Sequence, residues 1–196
     1  MTELLLGCGH SRIKQAHRPE DSSEWHNLVT LDINPDCKPD LHCNLNDSFW
    51  LPRALNSTGE KCLTQPHERS AIQNDFFSEV HAYEVLEHLG TQGDYASFFH
   101  TFYNIWRVLI NGGLLFATCP SRHSAWAWGD PGHTRIIQPE SLVFLDQTQY
   151  AAQLGKTAMT DYRSVWKGDF HILSSTDDRQ FHRFVLQAVK PARNYL

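Results

Sequence analysis

The chain has 196 residues and a formal charge of -5, with 41% hydrophobic and 20% charged residues, a composition ordinary for one folded domain. The acidic balance argues against an electrostatic footprint for duplex nucleic acid. No window approaches the roughly 18 consecutive apolar residues of a membrane span, and the N-terminus has no basic region, apolar core and cleavage site, so we expect a single cytoplasmic domain over 1–196.

Five cysteines, Cys8, Cys37, Cys43, Cys62 and Cys119, form neither an even set nor a C-x-x-C pair and read as reduced thiols. Cys37, His42 and Cys43 fit no common zinc spacing, so no metal is expected.

In chain order, Glu3 to Leu6 reads as a buried strand ending at Gly7, and the apolar, β-branched run NLVTLDI, Asn27 to Ile33, as a second. The polar connection between them is expected to be partly helical. A third short run, Asp40 to Leu45, precedes a segment without period, Asn56 to Asn74, expected as an exposed loop. A strand follows at Glu79 to Tyr83. The clearest helix carries Tyr95, Phe98, Phe99, Phe102, Trp106 and Leu109 on one face, with Asp94 as N-cap and Gly112 as its stop. LLFAT, Leu114 to Thr118, is the next strand, and one helix is expected from Pro139. DFHILSS and HRFVLQAVK, joined by TDDRQ, predict an antiparallel hairpin. The order predicts a three-layer α/β/α sandwich, Rossmann-like, with a mostly parallel sheet and a C-terminal antiparallel hairpin. Ligands in such sheets sit at the carboxyl ends of the strands.

Gly7-Cys8-Gly9 places two residues without Cβ at such an end, where backbone can approach a ligand. Asp32 ends the second strand 23 positions after Gly9, where a carboxylate can accept both ribose hydroxyls of an adenosine ligand. The NAD fingerprint fits poorly: Arg12 stands where close helix packing wants a small residue.

The succession LLLGCGHS, VTLDINP, HCNLND, YEVLEHL and RVLINGGLLFATCPS resembles the motifs of class I S-adenosylmethionine-dependent methyltransferases, over Leu4 to Ser121. Glu87-His88 in LEHL is a form common in the family's small-molecule and glycan branches. The resemblance implies S-adenosylmethionine as cofactor and S-adenosylhomocysteine as product. It implies a binding site from Gly7, Cys8, Gly9, His10, Asp32, Ile33, Asn44, Leu45, Tyr83, Glu84 and His88. Gly7 and Gly9 would lie against the methionine part, and Asp32 would hold the ribose. Asn44 stands where the family usually has Asp beside the adenine amino group, which keeps an acceptor oxygen but weakens the contact. Cys8 reads as a small filler, Tyr83 as partly structural, and His88 either as a direct contact or as a local hydrogen-bonding group.

The segment SRHSAWAWGDPGHTRII follows the fifth strand, where loops overhang the cofactor. His133 followed by Arg135 is weakly similar to a pair in methyltransferases acting on sugars and natural products. His133 is the first candidate base for a hydroxyl acceptor, with His123 and Asp130 as alternatives, because imidazole titrates near neutrality. Trp126, Trp128 and Arg135 are the candidate substrate contacts; the plain alternative is a surface loop pinned by two tryptophans. The Asp/Asn-Pro-Pro-Tyr/Phe tetrapeptide of exocyclic-amine methyltransferases is replaced by Tyr83-Glu84-Val85-Leu86. The strand starting at Glu3 leaves no N-terminal cap, so the site is closed by its own loops, by the second subunit of a homodimer, or by a large acceptor. The expected function is O-methylation of a small molecule or glycan. The alternatives are a non-catalytic cofactor- or partner-binding module and an RNA or protein methyltransferase.

Overall fold

The structure is a computed structural model describing residues 1–47, Trp50 and 72–193. Cys62 and the loop expected over 56–74, as far as residue 71, lie outside the described residues. Seven strands form one sheet: β1 Glu3–Leu6, β2 Leu28–Asp32, β3 Leu41–His42, β4 Phe77–Tyr83, β5 Leu109–Pro120, β6 Phe170–Asp177 and β7 Phe181–Ala188. Their order is β3-β2-β1-β4-β5-β7-β6. β1 to β5 pair in parallel, whereas β7 runs antiparallel to both β5 and β6. The mixed sheet and terminal hairpin are those expected from the sequence. β1 pairs with β2 on one side and β4 on the other, so the chain reverses its direction of travel across the sheet between them. Such a switch point opens a crevice beyond the strands' carboxyl ends.

Alternation along the strands divides the two faces. Leu4 and Leu6, Val80 and Ala82, Leu115 and Ala117, and Phe184 and Leu186 belong to one buried cluster with Trp50 and Trp166. Helix α1, Tyr95–Val108, adds Phe99, Phe102, Ile105 and Val108 to it. Asp94 caps α1 as expected, its side chain accepting the Ser97 N–H at 3.1 Å.

Gly112 does not stop this helix. Leu109 already has extended backbone and opens β5, which runs well beyond LLFAT; Gly112 lies within it at φ +79, by a shift in the pairing with β4. The single helix expected from Pro139 is two, α3 Pro139–Val143 and α4 Gln147–Gln153. Asp146 caps the second by accepting from Thr148 N and Gln149 N, and a cap side chain diverts the backbone before it. Another short helix, α2, spans Ala125–Gly129.

The connection from β1 to β2 differs most from expectation, because residues 8–27 contain no helix. They form a strap over the other face of the sheet. Lys14 Nζ lies 3.1 Å from Glu3 Oε1 and 2.8 Å from Glu79 Oε2, while Trp25 packs edge-on against His81 at 4.8 Å. His17 Nε2 lies 3.1 Å from Thr118 Oγ1. Arg12 clamps the start of the strap. Its guanidinium donates to the carbonyls of Gly9 at 2.6 Å, Cys8 at 3.3 Å and Cys37 at 2.8 Å, oxygens that a helix or open turn would use otherwise. No helix among the described residues is long and apolar enough to cross a membrane.

Candidate functional site

Gly7 follows β1 at φ +56, and a Cβ there would stand 2.4 Å from Val85 Cγ2. Only glycine therefore lets the end of β1 and the turn after β4 close on each other. Gly9, at φ +50, faces open space and needs glycine for its backbone alone. Asp32, 7% exposed, links this turn to the end of β2: Oδ2 accepts Gly9 N–H and Oδ1 accepts Asn34 N–H, both at 2.8 Å. Each oxygen keeps a lone pair.

A cavity of about 420 Å³ opens at this corner, lined by Gly7, Asp32, Ile33, Cys43, Asn44, Leu45, Asn46, Glu84, Val85, His88 and Leu89. A second, of about 270 Å³, shares Gly7 and Glu84 with the first and adds Cys8, Ser11, Gln15 and Tyr83. The two form neighbouring parts of one elongated cleft, in the size range of cofactor sites. Ile33, on its wall, is apolar yet 58% exposed. Asn44 Oδ1 accepts Asn46 N–H at 3.0 Å, and Asn46 Oδ1 accepts Gly90 N–H at 2.9 Å, tying the exit of β3 to the turn after β4.

Of the residues expected to bind a cofactor, Gly7, Cys8, Asp32, Ile33, Asn44, Leu45, Tyr83, Glu84 and His88 line one cavity or the other. Gly9 and His10 line neither; His10 is exposed, with Nε2 3.8 Å from Cys37 Sγ. Cys8 is buried, which raises its thiol to about 11 and fits a filler rather than a nucleophile. The Tyr83 hydroxyl lies 2.6 Å from His81 Nδ1 and accepts Gln15 N–H at 3.1 Å, so it anchors the strap. Glu84, at φ +52, stands at the cleft, whose walls desolvate its carboxyl and raise it to about 7.

The loop after β5 is zipped onto the 3-10 turn Leu86–His88. Thr134 N and Arg135 N both donate to the Glu87 carbonyl, at 2.8 and 3.1 Å. Arg135 is buried, with Nε donating to Leu89 O and Nη2 to Thr91 O and Asp94 O, and it lies over the Phe98 ring. These bonds make it a brace for the loop. Trp126 and Trp128 are 71% and 72% exposed and line neither cavity. His123 is exposed beside Arg122, at 3.3 Å. His133 is carried inward: its ring meets the His88 ring at 4.7 Å, and its Nε2 lies 4.0 Å from both Glu87 Oε1 and Asp130 Oδ2.

Two residues were missed by sequence reasoning. Arg12 is the clamp of the glycine turn. Glu87 is 2% exposed, and burial raises its carboxyl to about 8. The local hint, an acidic residue framed by Val85, Leu86 and Leu89, does not show what buries it.

The strand order and the glycine–acid corner define a class I methyltransferase fold. The sequence matches no protein-family model and no curated protein. Solved structures do resemble it. One is a chain in the Haloferax volcanii complex of the Trm112 methyltransferase activator with a methyltransferase: TM-score 0.55, 14% identity, over 98% of this chain and 84% of that one. An S-adenosylmethionine-dependent methyltransferase from Archaeoglobus fulgidus gives 0.48 at 11% identity, over 95% and 85%. The N-methyltransferase NodS from Bradyrhizobium japonicum, in complex with S-adenosylhomocysteine, gives 0.48 at 14% identity, over 95% and 77%. At these identities the likeness is one of fold.

Proposed function

We propose that the protein is an S-adenosylmethionine-dependent methyltransferase acting on a hydroxyl of a small molecule or glycan. The observation that carries this reading is Asp32. Its carboxylate is fixed by two backbone N–H groups at the edge of a cleft whose walls are Gly7, Ile33, Asn44 and Leu45. These residues fit the cofactor: Asp32 holds the ribose hydroxyls, Ile33 and Leu45 flank the adenine, and Asn44 Oδ1 accepts from its amino group. Glu84, shared by both parts of the cleft, offers a carboxylate to the positive end of the methionine moiety. S-adenosylmethionine supplies an electrophilic methyl group whose bonding pair stays on sulfur when it is transferred.

Alignment and proton removal fall to the protein. The acceptor enters beside His88, which lines the cleft, and His133 behind it takes the hydroxyl proton as the new carbon–oxygen bond forms. Asp130 and Glu87 flank that imidazole. His123 is set apart from this group by its exposed position beside Arg122.

Calorimetric titration of S-adenosylmethionine into the wild type and Asp32→Ala tests the reading. A loss of about 1.5 to 3 kcal/mol is expected, roughly ten- to hundredfold in Kd. Equal affinity in a variant with native-like folding removes Asp32 from the site. His133→Ala should keep cofactor affinity while losing turnover of a hydroxyl acceptor; retained turnover removes His133 as the base.

A further inference from the structure

Glu87 presents a problem that methyl transfer alone does not explain. Apart from the Cys119 thiol beside it, neither of its carboxylate oxygens has a hydrogen-bond partner, although the side chain is 2% exposed. The buried Nδ1 of His133 is also without one. A buried polar group without a full set of partners is costly, and native proteins satisfy such groups with hydrogen bonds or with metals.

The cluster has the geometry of ligands around an ion. One ligand atom from each of Glu87, His88 and His133 lies within 4.8 Å of the other two. His133 Nε2 to Glu87 Oε1 is 4.0 Å, too long for a hydrogen bond; two ligands of a tetrahedral ion stand about 3.4 Å apart, so a small side-chain adjustment brings both onto one ion. His88 Nδ1 is 2.9 Å from the Gly132 carbonyl, so Nδ1–H donates there and Nε2 keeps the lone pair. A backbone carbonyl orienting a histidine through its second nitrogen is the usual support for a ligating imidazole. The other acid–histidine cluster, Glu3, Glu79 and His81, contrasts with it, because the Lys14 ammonium already sits between the two acids.

We propose that Glu87, His88 and His133 bind one divalent transition-metal ion on the acceptor side of the cleft. Two imidazoles and a carboxylate suit Zn²⁺, Mn²⁺ or Co²⁺ better than Mg²⁺, which prefers oxygen ligands and retained waters. Three protein ligands leave a position open to the acceptor. A hydroxyl bound there loses its proton to water more readily, because the ion acts as a Lewis acid. This deepens the hydroxyl-acceptor reading and rests on it, but it replaces His133 as the base: the His133 lone pair goes to the ion, and the acceptor's proton goes to water.

The test uses the full chain stripped with EDTA and titrated separately with Zn²⁺, Mn²⁺, Co²⁺ and Mg²⁺ by calorimetry, with visible absorption spectra for Co²⁺. One equivalent of Co²⁺ with nitrogen/oxygen-type d–d bands is expected, weakened at least about tenfold by Glu87→Gln and by His88→Ala. His88 is exposed, so its variant keeps the test valid should Glu87→Gln fold poorly. Absence of stoichiometric Zn²⁺, Mn²⁺ and Co²⁺ binding, thiolate charge-transfer bands, or affinity unchanged in both variants would overturn the proposal. S-adenosylmethionine titrated into the stripped protein separates the two readings, since its binding does not depend on the ion.

Discussion

Two glycines in the same turn do different work, and substitution separates them. Both sit at positive φ, but a Cβ on Gly7 collides with Val85 while one on Gly9 meets nothing within 4 Å. Gly9→Ala is expected to cost about 1 to 2 kcal/mol, the left-handed backbone penalty. Gly7→Ala should add about 1 to 3 kcal/mol of steric strain and shift the wall of the cleft. Urea unfolding of both variants checks the order; equal losses would mean that Val85 yields freely. Gly7, Gly9 and Asp32 were legible in the sequence because each answers a local demand: backbone conformation for the glycines, a strand end for the acid. Glu87 was not. What buries it is the loop carrying His133 and Thr134, more than forty residues away in the chain, and no local pattern encodes that meeting.

The strap over 8–27 is the element that departs most from its sequence reading. A polar, partly helical connection was expected, yet residues 8–27 contain no helix and Lys14 is buried between Glu3 and Glu79. Periodicity cannot reveal an ion pair whose acids lie on two different strands. Lys14→Met leaves Glu3 unpaired and Glu79 with only its His81 hydrogen bond, and should cost about 3 to 5 kcal/mol by chemical denaturation; a loss under 1 kcal/mol would mean that the strap contributes little. The same network sets the acid response. Burial works against a charged Glu79, but hydrogen bonds from His81 and Lys14 outweigh it and hold the carboxyl at about 2, below its usual 4.5. Burial lowers His81 below 6.5, with Glu79 opposing. Both folded values lie under the unfolded ones, so both contributions are present at neutral pH and lost on acidification. His81's part goes first, below about pH 6.5, and Glu79's between 4.5 and about 2. Tm should fall along these two limbs, and Glu79→Gln should flatten the lower one. A Tm constant from pH 7 to 4 would contradict the buried, neutral state of His81.

Across the whole molecule, the sheet was the most legible part. Each buried strand carries its own apolar run, and the hairpin carries its turn. The helical layers were less so: α1 has an unbroken apolar stripe, whereas the α3–α4 break depends on Asp146 acting as a cap, and the strap has no stripe at all. What the fold delivers to one place is the glycine turn after β1, Asp32 after β2, Asn44 after β3 and Glu84 after β4, beside the buried Glu87 and its two histidines. The first group is the cofactor claim, and it is the claim on which acceptor chemistry and the metal proposal stand. A ligand that binds only the native state raises Tm in proportion to RT ln(1 + [L]/Kd). The most direct measurement is the thermal shift produced by S-adenosylmethionine, S-adenosylhomocysteine and NAD, each at the same concentration. The account predicts saturable stabilisation by the first two, diminished in Asp32→Ala, and none by NAD; stabilisation by NAD alone, or by none of the three, would contradict it.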